Sequence, residues 1–240
     1  MMETDTFTTP VPVGSARLNR NAVRLFVGIG VYVLAQAAVL FLGAGTLRWP
    51  AAWLYLGVYV ASFSAGLVWV AIVNPAVLNE RGRRADNVEA FDRRFHRLMP
   101  LLIFGGLLLG GLDFRFGWSA VPLALRVVGL ALVVVSLALA VWVLATNAFA
   151  ARVVRLQDGQ HVISDGPYRF VRHPMYSGTV LSWIGSTLAL GSWWMLIPAA
   201  AGIALFVWRT YHEDATLRAK LPGYVEYALQ TRYRLLPGIW

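Results

Sequence analysis

The sequence predicts an all-α, polytopic membrane protein of about six transmembrane helices, with a cytoplasmic C-terminal segment capping a pocket. Three observations predict it. Only 14% of the 240 residues are charged while 58% are hydrophobic, where a soluble globular domain carries about 25% charge. The apolar residues form runs long enough to cross a bilayer, which takes about 20 helical residues. The basic residues gather at alternate ends of those runs, as the positive-inside rule requires. The net charge of +9 is thereby read as topology signal and contact with anionic lipid, and nucleic-acid binding is excluded. The absence of cysteine excludes disulfides, thiolate metal sites and a cysteine nucleophile together.

Residues 1–24 are polar with Glu3 and Asp5 at the front, unlike a cleaved signal peptide, and are expected as a cytoplasmic tail. Residues 25–42 and 50–73 read as the first two spans, joined outside by 43–49. The link 74–97 carries Arg81, Arg83, Arg84, Arg93, Arg94 and Arg97 among Glu80, Asp86, Glu89 and Asp92. It is an orientation signal or, as the second reading, a substrate contact. Residues 98–112 are expected as a short span accommodated by tilt or bilayer thinning, 113–121 as a turn and 122–145 as the return. After a polar link, 174–190 and 192–208 are expected as a tight hairpin joined at Gly191, and 209–240 turns polar and amphipathic. Only Arg48, Arg115 and Arg126 fall on the outer side, leaving 18 of 21 Lys and Arg inside. Both termini are therefore expected in the cytoplasm. The chain divides into the tail, an N-terminal membrane region 25–145 and a functional region 146–240.

The chemistry is concentrated between Gly166 and Gly178, where two glycines, two prolines, His173, Tyr168 and Tyr176 crowd into thirteen residues. Proline suits the first turn of a helix and disfavours helical geometry before it, so Arg172-His173-Pro174 reads as the mouth of a helix starting at Pro174. Its free N–H groups, with Arg172, His173 and the two tyrosines, would attract an anionic group. A plain membrane-helix start, with Arg at the headgroups and Tyr in the aromatic belt, is the other reading. Arg209 and Glu213 share one helical face four residues apart. They make either a local salt bridge below a snorkelling Arg, or two ligand contacts, Arg209 to a carboxylate and Glu213 to a cation or hydroxyl. Gln157, Gln160, His161, Val162 and Ile163 form a polar strip leading into the motif, and Tyr224, Tyr227 and residues 232–240 read as a helix break and interfacial anchor. His96, His161, His173 and His212 have no metal-ligand spacing, so no metal is expected. No Gly-x-Ser-x-Gly elbow is present, and Gly43-Ala44-Gly45 lacks the context of a nucleotide fingerprint.

These residues resemble the integral-membrane methyltransferases related to isoprenylcysteine carboxyl methyltransferase and, more distantly, phospholipid N-methyltransferases. The pattern Gly-x-Tyr-x-x-x-Arg-His-Pro-x-Tyr-x-Gly runs complete from Gly166 to Gly178. Arg209-x-x-x-Glu213-Asp214-x-x-Leu217 and Tyr224-x-x-Tyr227 follow, Asp214 standing where the family often has Glu. Asn74-Pro75, Glu80-Arg81 and Asp92-Arg93 are similar to the family's cytoplasmic link. The resemblance implies S-adenosyl-L-methionine as methyl donor, in a pocket roofed by the C-terminal segment. Its contacts would be Gln157, Gln160, His161, Val162, Ile163, Tyr168, His173, Pro174, Met175, Tyr176 and Glu213. Arg209 and Glu213 are the expected catalytic pair, Arg209 facing the acceptor.

The resulting expectation is a multi-pass enzyme of a bacterial-type plasma membrane that methylates a lipophilic or prenylated acceptor arriving from membrane lipid, in the first instance at a carboxylate oxygen. A lipid-amine N-methyltransferase, a sterol-reductase-like NADPH oxidoreductase and a non-catalytic membrane scaffold are the alternatives.

Overall fold

A computed structural model describes residues 17–84 and 88–240. The expected tail up to residue 16 and Asp86 of the arginine block lie outside the described residues. The described chain is all-helical: α1 (Arg20–Ala44), α2 (Pro50–Val73), α3 (Pro75–Gly82), α4 (Ala90–Phe116), α5 (Leu123–Thr146), a 3-10 turn (Gly166–Arg169), α6 (Pro174–Leu190), α7 (Leu196–Lys220) and α8 (Tyr224–Gln230). Four of them, α1, α2, α4 and α5, are long and apolar enough to cross a membrane, which marks an integral membrane protein. α6 is apolar but shorter, at 17 residues, and α7 is apolar in its first half only, its C-terminal half carrying Arg209, Glu213, Asp214, Arg218 and Lys220.

The boundaries follow from local chemistry. Asn19 caps α1, its side chain accepting from the Asn21 N–H at 2.8 Å. Proline opens α2, α3 and α6, where its missing N–H costs nothing. Left-handed glycines, Gly45, Gly117 and Gly191, close α1, α4 and α6. Several expected bounds are corrected. α1 begins at Arg20, because the cap at Asn19 starts the helix five residues before the apolar run. The expected short span 98–112 is the middle of the 27-residue α4, which runs through Pro100. Its charged first turns are helical because Asp92 finds partners on α7 and in the polar link. Asp113, expected in a turn, is buried in α4 and accepts from Ser119 at 2.6 Å and from Ser192. The last hairpin turns over residues 191–195, and α7 carries helix twelve residues past Trp208, to Lys220.

The tightest seam is α5 against α6. A Cβ at Gly129 would lie 2.4 Å from the Ala189 nitrogen, and one at Gly185 would lie 2.8 Å from the Gly129 carbonyl oxygen. The two backbones touch through glycine, the small-residue packing that membrane helices favour. This seam fixes the start of α6 beside the end of α5. α4 lies along α7, with Phe95 edge-on to Phe206 at 4.9 Å, and α2 joins the bundle through Tyr55 and Ser186, 3.0 Å apart. Overpacking that seam with Gly185→Val is expected to destabilise the protein by about 1–3 kcal/mol, read as a lower unfolding midpoint in detergent. Gly28→Val, where nothing lies within 4 Å, is expected to leave the midpoint in place.

Candidate active site

At the polar end of the bundle the first turn of α6 meets the last turns of α7, the 3-10 turn, α8 and the C-terminal segment. Arg172 joins them. Its Nε donates to Asp214 Oδ1 at 2.8 Å and its Nη2 to Asp214 Oδ2 at 3.3 Å, while Nη1 donates to the Thr231 and Arg232 carbonyls, both at 2.8 Å. Arg218, Arg234 and Tyr224 also donate to Asp214, at 3.1, 3.2 and 2.9 Å. The backbone agrees: the Arg172 and His173 N–H groups donate to the Tyr233 and Arg234 carbonyls, each at 2.9 Å, and the Ser177 hydroxyl donates to the Leu235 carbonyl at 2.5 Å. The last ten residues are thereby tied across the mouth of α6.

This arrangement revises the expected anion-binding helix mouth. Arg172 is 4% exposed and already bidentate to a carboxylate, and the Tyr176 N–H bonds back to the His173 carbonyl at 3.0 Å. Little positive charge is left there for a ligand. Burial alone would raise the Asp214 carboxyl, but hydrogen bonding and charge from His173 and Arg172 hold it well below its usual range. Burial and the Asp214 charge push the Tyr224 phenol well above its ordinary value, so it keeps the proton it donates to Asp214.

A cavity of about 130 Å³ opens beside this tie. Gln160, His161, Val162, Ile163, Tyr168, His173, Pro174, Met175, Tyr176 and Glu213 all line it. Gln157 does not. Its side chain donates to the Phe149 carbonyl at 2.8 Å and its N–H to Gln160 Oε1 at 3.0 Å, so it shapes the loop that presents the strip. Within the cavity the Tyr176 hydroxyl donates to Glu213 Oε2 at 2.5 Å, the His173 and Tyr176 rings stack 5.6 Å apart, and the Tyr168 hydroxyl accepts from Asn147 at 2.8 Å. Burial raises the Tyr168 phenol beyond its ordinary range.

Arg209 and Glu213 do not form the local pair their spacing suggests. Arg209 lies outside the cavity lining, 5% exposed, with Nε donating to Asp92 Oδ1 at 2.8 Å and Nη2 to the Arg152 carbonyl at 3.1 Å. Its guanidinium sits 4.4 Å from the Phe95 ring centroid and 5.0 Å from that of Tyr176. Asp92 also accepts from the Val154 N–H at 2.8 Å. Arg209 therefore backs the Tyr176 ring from behind the cavity wall, with its charge already met.

Among the lining residues outside the expected contact set is Arg81, and Met175, inside that set, has a second role. Arg81, one of the six arginines read as an orientation signal, lines the cavity from α3. Met175 lines it and also a second cavity of about 260 Å³ inside the bundle. That cavity is walled by Ile103, Leu107, Leu137, Trp183 and Met195, with Tyr55, Tyr59 and Ser186 among them. Arg81 had no local signal, sitting in a run of like residues, whereas Met175 was expected at the site from its place inside the motif.

The first cavity combines one carboxylate, Glu213, and several aromatic faces with Arg81, which suits a ligand carrying a flat ring and charges of both signs. The second offers apolar surface. A family model described as phospholipid methyltransferase matches residues 124–221, a span that takes in α5, α6, α7 and the whole motif while leaving out α1 to α4 and α8. No curated protein matches the chain.

Replacing Asp214 by Asn, which removes one partner of a buried pair, is expected to cost about 3–5 kcal/mol of stability, measured by unfolding in one detergent; a loss below about 1 kcal/mol, the worth of an exposed pair, contradicts the tie. Because the folded carboxyl lies below its unfolded value of 3.8, its contribution is complete above that value and is lost as pH falls below it. The difference between wild type and variant should therefore be present at neutral pH and shrink as pH falls below that value.

Proposed function

We propose that this chain, in which the family of integral-membrane phospholipid methyltransferases is recognised over residues 124–221, is a membrane-embedded S-adenosylmethionine-dependent methyltransferase acting on a lipophilic acceptor. The observation that carries the proposal is the joining of two unlike cavities at Met175, one polar and aromatic, the other largely apolar. A water-soluble donor and a membrane-borne acceptor need such a pair of compartments meeting at one wall. In this reading α6 and α7 complete six spans, both termini lie in the cytoplasm, and the C-terminal segment caps the donor cavity from that side.

The donor set fits the cofactor. When bound, S-adenosylmethionine supplies an electrophilic methyl group on a sulfonium. Glu213, oriented by the Tyr176 hydroxyl, offers a carboxylate to the ligand's cationic portion, and Tyr168 and Tyr176 offer ring faces. Gln160, His161, Val162 and Ile163 present backbone and polar groups to its flat base. His173 is held between Tyr176 and Asp214, its Nε2 being 3.6 Å from Asp214 Oδ1. Arg209 braces the Tyr176 ring and so acts as a positioning residue. Methyl transfer needs alignment and exclusion of water more than acid–base chemistry, and the pinned C-terminal segment supplies the exclusion.

Carboxyl O-methylation follows from the motif's resemblance to isoprenylcysteine carboxyl methyltransferase, where the nucleophile is already anionic and needs no general base. N-methylation of a lipid amine is the second reading, favoured by the matched family's description; Glu213 would then be the group that takes up the proton.

Incubating the purified protein with methyl-labelled S-adenosylmethionine and a total membrane lipid extract should label the lipid phase. Alkali releases the label as methanol from a methyl ester and leaves an N-methyl group in place. Glu213→Gln is expected to reduce labelling by one to two orders of magnitude, on the scale of about 1.5–3 kcal/mol for a charge-assisted contact. Unchanged labelling in Glu213→Gln would remove Glu213 from the site.

A further inference from the structure

A third cavity, of about 170 Å³, lies beside the donor cavity and is lined by Glu80, Arg81, Arg83, His96, Arg152 and Arg155 with Ala151 and Val153. Four guanidiniums face one carboxylate. Glu80 is engaged, by Arg155 and by Arg83 at 3.8 Å. Arg81 and Arg152 have no carboxylate partner among the described residues: Arg81 Nη1 donates to the Ala150 carbonyl at 2.9 Å, and Arg152 contributes only its carbonyl, to Arg209. Arg155 Nε is buried without a hydrogen-bond acceptor. Burial and the neighbouring Arg152 charge push Arg81 down to about 10, the direction expected of a cation held beside another with no anion between them.

An orientation signal has no need of this. Arginines that only fix topology stand in water at the headgroups, whereas Arg81 is half-buried and lines both this cavity and the donor cavity. Drawing a cation partly out of water beside like charges is unfavourable, so the position makes physical sense if an anion completes it. Guanidiniums suit carboxylate and phosphate oxygens because their donors form a planar fork.

We propose that Arg81 and Arg152 form an anion subsite for the methyl acceptor, making the acceptor an anionic amphiphile whose carboxylate or phosphate is held at the edge of the donor cavity. The proposal rests on the methyltransferase reading and narrows its substrate class. It also gives α3, outside the segment matched by the family model, a part in choosing the acceptor.

The test is a calorimetric titration of the full-length protein in maltoside detergent with dodecanoate, dodecyl phosphate, dodecanol, inorganic phosphate and S-adenosylhomocysteine. Wild type is compared with Arg81→Gln/Arg152→Gln and with Arg84→Gln, an exposed arginine outside the cavity lining. Both anionic amphiphiles should bind one per chain, with dodecanol and inorganic phosphate at least about tenfold weaker. The double variant should lose at least about tenfold for the amphiphiles and keep its affinity for S-adenosylhomocysteine, while Arg84→Gln matches wild type. Should the double variant unfold, Arg152→Gln alone, at an exposed side chain, should show a smaller loss in the same direction. Amphiphile affinity unchanged in these variants overturns the proposal. So does a parallel loss of S-adenosylhomocysteine, which would assign the arginines to the donor, or inorganic phosphate binding as tightly as dodecyl phosphate, which would make this a free-anion site. Amphiphile binding without any binding of S-adenosylhomocysteine to wild type would instead overturn the methyltransferase reading and leave an anionic-lipid site.

Discussion

The structure depends on the buried contact between Arg172 and Asp214. One guanidinium holds a carboxylate on α7 and two carbonyls near the C-terminus, and the same carboxylate gathers Arg218, Arg234 and Tyr224. Two charges removed from water are tolerated because nearly every donor and lone pair finds a partner. What the contact secures is geometry: the start of α6, the end of α7, α8 and the last residues become one unit, and the first cavity is the space left beside it. An aspartate, one methylene shorter than the glutamate often found there in the resembling family, is long enough because Arg172 reaches across to it.

A second pin, between Arg209 and Asp92, fastens α7 to α4 and to the polar link through the Val154 N–H and the Arg152 carbonyl. The acids then divide by role. Asp92 and Asp214 are 0% and 1% exposed and saturated by arginine, while Glu213, one residue before Asp214, turns to the cavity with a tyrosine hydroxyl as its hydrogen-bond partner. On one turn of α7, adjacent carboxylates thus face the packed core and the open cavity. Arginine is distributed likewise: Arg172 and Arg209 are consumed in holding helices together, and Arg81 is left facing open space.

The membrane helices were legible because apolar length is a one-dimensional property: α2 has the bounds its apolar run predicts. Where charge interrupted the run the prediction stopped early, at the start of α4 and the end of α7, because tertiary ion pairs let helix continue through polar residues. The expected contacts other than Gln157 all lie on the cavity wall, since, Glu213 apart, they cluster in sequence at the mouth of α6 and in the strip before it, whereas the walls from α3, from 143–156 and from 216–227 come from segments the motif does not reach. What sequence could not supply was partner choice. Arg209 four residues before Glu213 looks like a local pair, yet its carboxylate lies 117 positions away on α4. Arg172 looks available to a ligand until Asp214 is seen beside it. Gln157, placed in the strip by adjacency, turns to Phe149 instead. The first two are contacts between distant segments and the third a turn within one irregular link, and for neither does helical spacing along the chain carry a signal.

The central claim is that the compartment closed by the C-terminal segment is built for a sulfonium nucleoside. Equilibrium binding of S-adenosylhomocysteine to the full-length protein in lipid nanodiscs, measured against NADPH under the same conditions, tests it most directly. The account predicts saturable binding of one S-adenosylhomocysteine per chain and none of NADPH. Saturable binding of NADPH with no binding of S-adenosylhomocysteine would contradict it.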